Sequence, residues 1–315
     1  MRSFVTGCAG YVGSNLVDRL LQSGQAVVGY DNFSLGREEF LAAALQNPAF
    51  KLVRADLLDR EALALAMNGC DFVYHIAANA DVRFGANDPR RDLEQNVQAT
   101  SNVLEAMRVN GISKIVFPST GSVYGEPEVF PTPERAPFPI QTSFYGASKL
   151  AAEGLIQAYC SSFGFQAWIF RFVSILGERY SHGHVLDFYK SLRANPGELK
   201  VLGDGKQKKS YLYVHDCIDA IFLATAKAAE PVNIINLCTD EYCSVDDSIG
   251  WICEELGVKP KRIYAGGTRG WVGDSPFIYL DCTKIRALGW KPKLTIRQGV
   301  VKTLGYLRTA PWLKS

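Results

Sequence analysis

Tyr145 and Lys149 stand four residues apart in the run Tyr145-Gly146-Ala147-Ser148-Lys149, at the start of a helical stretch. That spacing puts both side chains on one helix face. A phenol ordinarily titrates near ~10 and is a poor base at neutral pH, but a neighbouring ammonium favours its ionised form. The pair is therefore a candidate for taking a proton from a hydroxyl and returning it. The spacing is common by chance, and its meaning comes from position. It follows an apolar run that closes with Phe117-Pro118-Ser119-Thr120, and it lies well downstream of a glycine-rich turn.

That turn is Thr6-Gly7-Cys8-Ala9-Gly10-Tyr11-Val12-Gly13, between a short apolar run and a helix-like segment. Glycines in this context allow a tight turn, close approach of backbone to a pyrophosphate and close helix–strand packing. The helix start offers N–H groups and a positive dipole end to phosphate. Asp31 ends the second apolar run and is followed by Asn32-Phe33-Ser34, with no Arg immediately adjacent. A carboxylate there accepts hydrogen bonds from ribose hydroxyls and repels a 2′-phosphate, which predicts NAD rather than NADP. Its bland alternative is a turn or helix cap. Asp56-Leu57, after the third run, is placed to meet the adenine. His75-Ile76-Ala77-Ala78-Asn79-Ala80 closes the fourth, where small residues let a ligand lie against backbone. His75 itself reads as a satisfied, half-buried histidine rather than a catalytic one.

The elements that must position these residues are legible as alternation. Strands are expected at Arg2–Thr6, Ala26–Tyr30, Lys51–Arg54, Phe72–Ile76, Lys114–Pro118, Ala167–Phe172 and Val232–Leu237. Helices are expected at Tyr11–Gln22, Glu61–Met67, Leu93–Val109 and Tyr145–Phe163. Strand and helix alternating in this way predict an α/β fold, a doubly wound parallel sheet with helices on both faces. Beyond Phe172 the segments shorten and Gly and Pro become frequent, as in Asn195-Pro196-Gly197 and Gly203-Asp204-Gly205. A smaller lobe over the strand ends is expected there, closing a cleft. The expected division is residues 1–172 with about 212–240 as a dinucleotide-binding domain, and 173–211 with 241–315 as the second lobe.

The bulk numbers narrow the function classes. The chain has 315 residues, 47% of them hydrophobic, enough for one large unit or two close lobes. Lys and Arg number 34 against 32 Asp and Glu, so no basic field marks nucleic acid as a main partner. The eight cysteines include no CxxC pair and no His at zinc-ligand spacing, so no metal site is expected and the thiols read as reduced and buried. The strand-like run begins at Ser3, leaving no room for a secretory signal. No apolar run approaches the roughly 18 residues of a membrane span. A cytoplasmic protein is the expectation.

With these residues assembled, the chain resembles the extended short-chain dehydrogenase/reductases, in their NAD-dependent nucleotide-sugar epimerase/dehydratase branch. The resemblance rests on the glycine turn, Asp31, Asp56, Ala77-Ala78, Asn96, Ser119-Thr120, Val123-Tyr124-Gly125, Tyr145/Lys149 and Gly203-Asp204-Gly205, and spans nearly the whole length. It implies a Rossmann-type sheet with a smaller α/β C-terminal substrate lobe, a homodimer through the helices at 93–109 and 145–163, and bound NAD. It implies Tyr145 as acid/base, Lys149 on the nicotinamide ribose and Thr120 on the same sugar oxygen. Gly7, Gly10, Tyr11, Val12, Gly13, Asp31, Asn32, Asp56, Leu57, Ala77, Ala78, Asn96, Ser119, Tyr145, Lys149 and Phe172 become the cofactor set. Arg83, Thr120, Ser122, Ser174, Lys209, Tyr211, Arg269 and Asp274 become the nucleotide-sugar set.

The resemblance also discriminates among reactions. The branch's 4,6-dehydratases carry Thr-Asp-Glu after the fifth strand, whereas this chain has Thr120-Gly121-Ser122, which supplies no carboxyl group. A 4-epimerase acting on a UDP-hexose is expected. The alternatives are another nucleotide-sugar dehydratase, 4-reductase or dehydrogenase, and a non-catalytic NAD-binding regulator. Three departures from the branch bear on the substrate. Lys209 stands at an Arg position and loses the bidentate fork. Ser174 stands at an Asn position. Trp271 stands where many 4-epimerases carry a phosphate-binding Arg, with Arg269 two residues earlier; Trp271 is expected to pack the lobe. His182 and His184 are expected in a loop bordering the cleft, without a catalytic role.

Overall fold

In the computed structural model, which describes residues 1–79, 82, 85, 87–138 and 140–313, the strands and helices alternate along the first half of the chain. They run β1 Arg2–Thr6, α1 Tyr11–Gln22, β2 Ala26–Asp31, β3 Phe50–Arg54, α2 Arg60–Met67 and β4 Phe72–His75. Next come α3 Pro89–Asp92, a π-helical segment Leu93–Gln98 and α4 Ala99–Val109 as one continuous run, then β5 Lys114–Thr120, α5 Phe144–Phe163 and β6 Gln166–Phe172. Strand ends differ from the sequence expectation by one or two residues. The largest difference is β5, which runs on through Ser119 and Thr120 because both pair in register with β6.

Among the described residues, seven strands form one parallel sheet in the order β3-β2-β1-β4-β5-β6 followed by Val232–Leu237, which is β11 in chain order. The register aligns the carboxyl ends: Thr6 sits beside Tyr30 and His75, Asp31 beside Arg54, and Phe172 beside Thr120 and Leu237. Successive strand residues point to opposite faces, and the two cores follow that alternation. Val5, Val116, Trp168 and Phe170 belong to the core on the face covered by α1 and, at β6, by Val214–Lys227, whereas Phe4, Ile115, Phe117 and Ile169 pack under α2, α4 and α5. Strands buried on both faces explain why these runs are continuously apolar.

The remaining elements are β7 Ser174–Leu176, α6 His184–Ala194, β8 Glu198–Val201, β9 Lys208–Lys209, β10 Tyr211–Tyr213 and α7 Val214–Lys227 before β11. After it come β12 Cys243–Ser244, α8 Val245–Leu256, β13 Lys261–Tyr264, β14 Phe277–Ile278, α9 Thr283–Ala287 and α10 Ile296–Thr309. Helix α7 returns to the large sheet beside α1. The others build three small sheets among the described residues, β7 with β10, β9 between β12 and β14, and β8 with β13, while α6, α8 and α10 pack on one another. Capping boxes at Ser244 and Thr295 fix the starts of α8 and α10. All eight cysteines are buried and free.

The strand order reverses between β1, which leads outward to β2, and β4, which leads the other way. Such a reversal opens a crevice at the strand ends. Here it is closed to side chains on the turn itself. Gly7 has φ +66°, and a Cβ on it would lie 2.8 Å from the Ala77 backbone. A Cβ on Gly13 would lie 2.0 Å from the Gly7 carbonyl oxygen. Gly13→Ala should therefore displace the turn rather than be absorbed. The expected cost is about 1–3 kcal/mol in urea unfolding, with weakened dinucleotide binding; an unchanged midpoint would show that the turn has slack.

Candidate active site

The carboxyl ends of the strands and the second lobe enclose a cleft of about 990 Å³. At one end lie Gly7, Gly10, Tyr11, Val12 and Gly13, then Asp31, Asn32 and Leu57; further along are Ala77, Ala78, Ser119, Thr120, Tyr145, Lys149 and Phe172. Ser122 lies beside Thr120, and Ser174, Lys209, Tyr211 and Asp274 line the second-lobe side. The cleft thus brings together most residues singled out in the sequence.

Helix α1 begins at Gly10, which provides no side-chain cap, so its start is left to a ligand's oxygens. Both oxygens of Asp31 accept backbone N–H groups, from Ala9 and from Phe33, each at 2.8 Å. Burial raises its pKa against those two bonds. The carboxylate is thus fixed at the cleft wall with lone pairs left for a diol, and the site fits an adenosine diphosphate half. Arg37 also lines the cleft here, its guanidinium 4.6 Å from the Trp312 ring centre. Adjacency to Asp31 in sequence does not reveal it; the intervening turn at Gly36, packed on Ala9 and Asp31, brings it back.

Two residues assigned to the cofactor by resemblance do not line the cleft. Asp56 accepts from Asn32 Nδ2 at 2.7 Å and from the Leu58 N–H at 2.8 Å, bracing the loop that carries Asn32. Asn96 lies in the π-helical segment, behind the wall. Its Oδ1 accepts the Asn79 N–H at 2.9 Å, and its Nδ2 donates to Asp92 Oδ1 at 3.2 Å and Ser148 Oγ at 2.9 Å. Ser148 in turn donates to the Tyr145 carbonyl at 2.9 Å. Asn96 therefore fastens the Tyr145 turn of α5 to the end of β4. Arg83 lies outside the described residues.

Helix α5 starts at Ser143, whose Oγ accepts the Gly146 N–H at 3.0 Å. Tyr145 thus falls in the first turn and Lys149 in the second. Burial, and then the Asp92 charge, push the Tyr145 phenol well above its usual range. Lys149 is buried with Nζ 4.0 Å from the centre of the Phe117 ring. Burial lowers its pKa to about 7, with Glu153 opposing. Lys149 is thereby held close to the point of exchanging a proton at neutral pH, beside a phenol that keeps its own. Thr120 Oγ1 accepts the Ser122 N–H at 3.1 Å, and both residues line the same wall. His75, expected to be half-buried, is fully buried and satisfied: Nδ1 meets Thr6 Oγ1 at 2.8 Å and Nε2 meets Thr100 Oγ1 at 3.0 Å.

At the substrate end three expectations need correction or refinement. Trp271 lines the cleft instead of packing the lobe, and its ring centre lies 5.8 Å from Lys209 Nζ. Lys209 does not stand free for phosphate, because Nζ is buried against Asp274 Oδ1 at 2.6 Å and also donates to the Ser275 carbonyl. Arg269 lies off the cleft wall, bound to Glu126 at 2.5 Å and to the Asp274 carbonyl at 2.7 Å. His182 and His184 both line the cleft, His184 as the first residue of α6 with Nε2 2.8 Å from Ser248 Oγ.

A cleft at the reversal point of a parallel sheet, with a glycine turn at a helix start, a carboxylate closing β2 and a tyrosine–lysine pair, fits a dinucleotide-dependent enzyme that works on a hydroxyl. The sequence model of the NAD dependent epimerase/dehydratase family matches residues 3–238, and the chain belongs to that family. A putative UDP-glucose 4-epimerase of Methanocaldococcus jannaschii is 33% identical over 311 residues, 96% of this chain and 97% of its own length. A solved UDP-galactose 4-epimerase is 37% identical, with a TM-score of 0.87 over 99% of this chain and 100% of that one. The Thermus thermophilus UDP-glucose 4-epimerase, solved with NAD, is 33% identical, with a TM-score of 0.87 over 98% and 100% of the two chains. The cofactor of this chain is NAD.

Burial of His75 makes a prediction about acid stability. Its pKa is lowered to about 3 by burial and then by the Lys149 charge. An unfolded histidine takes its proton near ~6.5, so between these values the unfolded chain binds more protons. The His75 contribution to stability should be flat above pH ~7 and fall as the pH drops through ~6.5. Urea unfolding at about pH 7.5 and about pH 5 should show a larger loss in the wild type than in His75→Gln; equal losses would remove His75 as a cause.

Proposed function

We propose that this chain is an NAD-dependent nucleotide-sugar 4-epimerase acting on a UDP-hexose. The observation that carries the reading is the combination of Tyr145 and Lys149 on the cleft wall with Gly121 and Ser122 after Thr120. Gly121 is buried, and a Cβ there would already lie 3.3 Å from Ile278 and 3.5 Å from Leu280. The position is already closely packed and neither Gly121 nor Ser122 carries a carboxyl group, so the wall supplies a base for a hydroxyl and no acid for expelling water from C5–C6.

In this reading Tyr145 takes the C4 hydroxyl proton and later returns it. Lys149 stabilises the phenolate and holds the nicotinamide ribose, and Thr120 fixes the sugar oxygen. NAD, when bound, supplies the acceptor and donor of the C4 hydrogen and a cationic ring that favours the phenolate. The cleft of about 990 Å³ leaves the keto sugar room to turn over. Lys209, already paired with Asp274, gives this end of the cleft a fixed polar wall rather than a free charge for the diphosphate. Ser122, Ser174 and Tyr211 offer hydroxyls to the sugar and nucleotide. Residues 1–172 with about 212–240 serve the cofactor, and 173–211 with 241–315 serve the nucleotide sugar. A homodimer through α4 and α5 belongs to the same reading, supported by the exposed Leu93, Val109 and Phe163 beside or within those helices. So does a cytoplasmic location; among the described residues no helix is long and apolar enough to cross a membrane.

The test is product analysis by NMR after incubation with NAD and UDP-glucose, UDP-N-acetylglucosamine or UDP-glucuronate. The expected result is the C4 epimer at constant total nucleotide sugar without free NADH, lost by on the order of a hundredfold or more in Tyr145→Phe. A 4-keto-6-deoxy sugar, or stoichiometric NADH, would overturn the epimerase reading.

A further inference from the structure

Behind the tyrosine–lysine pair lies a buried ion pair that the mechanism above does not use. Glu153 is one helical turn beyond Lys149 on α5 and has no solvent exposure. Its Oε1 accepts from Arg171 Nε at 3.1 Å and from Ser119 Oγ, and its Oε2 accepts from Arg171 Nη2 at 2.7 Å. Arg171, 1% exposed, donates through Nη1 to the Tyr124 hydroxyl at 2.8 Å and the Glu134 carbonyl at 3.0 Å. The Tyr124 hydroxyl donates in turn to Asn236 Oδ1 at 2.9 Å.

Such a pair is a costly way to hold a core together. Desolvating two ions takes back much of what their attraction gives, and apolar residues of similar volume often serve as well. Its placement suggests another use. Ser119 and Arg171 are register partners on β5 and β6, and Ser119 lines the cleft next to Thr120. Glu153 grips both strands from the helix that carries Tyr145 and Lys149. It is also the acidic group acting on Lys149. Beside that ammonium lie the neutral His75 on β4 and the Phe117 ring on β5, while the Arg171 charge on β6 is taken up by Glu153 itself.

We propose that Glu153 is a positioning residue of this site: it clamps α5 to the ends of β5 and β6 through Ser119 and Arg171, and it keeps Lys149 an ammonium ion at the cleft wall. Glu153 touches neither substrate nor cofactor and acts through Ser119 and Lys149. The kinetic half of this inference rests on the epimerase reading; the electrostatic half does not.

The experiment is a side-chain ¹⁵N NMR titration of Lys149 in the full chain, for the wild type, Glu153→Gln, Glu153→Asp and the double variant Glu153→Gln/Arg171→Met. It is paired with kcat and KM for UDP-glucose across about pH 6–9. In Glu153→Gln the Lys149 midpoint should fall by about 1 in pH, and kcat near pH ~7.5 should drop about tenfold with KM within about twofold. The alkaline limb of kcat should move to lower pH, because the ammonium is lost earlier. Glu153→Asp should restore much of the midpoint. Glu153→Gln leaves Arg171 unpaired and risks unfolding, and the double variant removes that charge and should show the same direction of change in a folded chain. An unchanged Lys149 midpoint in either folded variant would overturn the proposal, as would failure of every variant to fold, which would make the pair structural. Absence of UDP-glucose turnover in the wild type would count against the epimerase reading alone, since the NMR titration decides the role of Glu153 without substrate.

Discussion

The close approach of Gly7 to Ala77 governs how the rest of the molecule is arranged. The first turn must leave β1, pass directly over the end of β4 and enter α1 within a few residues. A Cβ at Gly7 would meet the Ala77 backbone at 2.8 Å, and one at Gly13 would meet the Gly7 carbonyl at 2.0 Å. The turn therefore has a single solution, and it places the uncapped start of α1 at the point where strand order reverses. The other features follow from the common alignment of strand ends. Asp31 closes β2, His75 closes β4, Thr120 closes β5, and the register brings all of them to one edge.

The chemistry at that edge depends on charges that the protein keeps out of water. Lys149 lies on α5 against an aromatic ring, where burial pulls its proton affinity down to about 7. Tyr145 is pushed the opposite way by burial and by Asp92. These shifts leave Tyr145 protonated and Lys149 close to the point of exchanging its proton at neutral pH. In the proposed mechanism a cationic ring and a negatively charged diphosphate, arriving together, would shift that balance toward the charged forms. At the other end of the cleft Lys209 is not left as a lone buried charge, because Asp274 pairs with it.

Most of this frame was legible in the sequence because it is carried by periodicity and by residue types with few substitutes. The apolar runs mark the strands, the glycine turn has a geometric reason at each position, and Tyr145 with Lys149 needs only helical spacing. The unread part depends on contacts between distant segments. Asn96 fastens a helix through Asn79 and Ser148, and nothing in its local sequence separates that from a cofactor contact. Trp271 faces the cleft although aromatic residues most often fill cores, and Arg37 reaches the cleft through a turn at Gly36. The pairing of Lys209 with Asp274 spans two segments of the second lobe and has no signature in either. Glu153 and Arg171 meet only because β5, β6 and α5 converge.

In an enzyme built this way, the hydrogen at C4 of the sugar leaves and returns within one closed site. The direct measurement is turnover of UDP-glucose deuterated at C4, with both epimers analysed by NMR and mass spectrometry. Retention of deuterium at C4 in both epimers, without exchange into solvent, is the predicted result. Loss of the label to water during epimerisation would mean that the proton is taken from carbon instead, and would contradict the roles of Tyr145, Lys149 and NAD in moving a proton from oxygen and a hydride from C4.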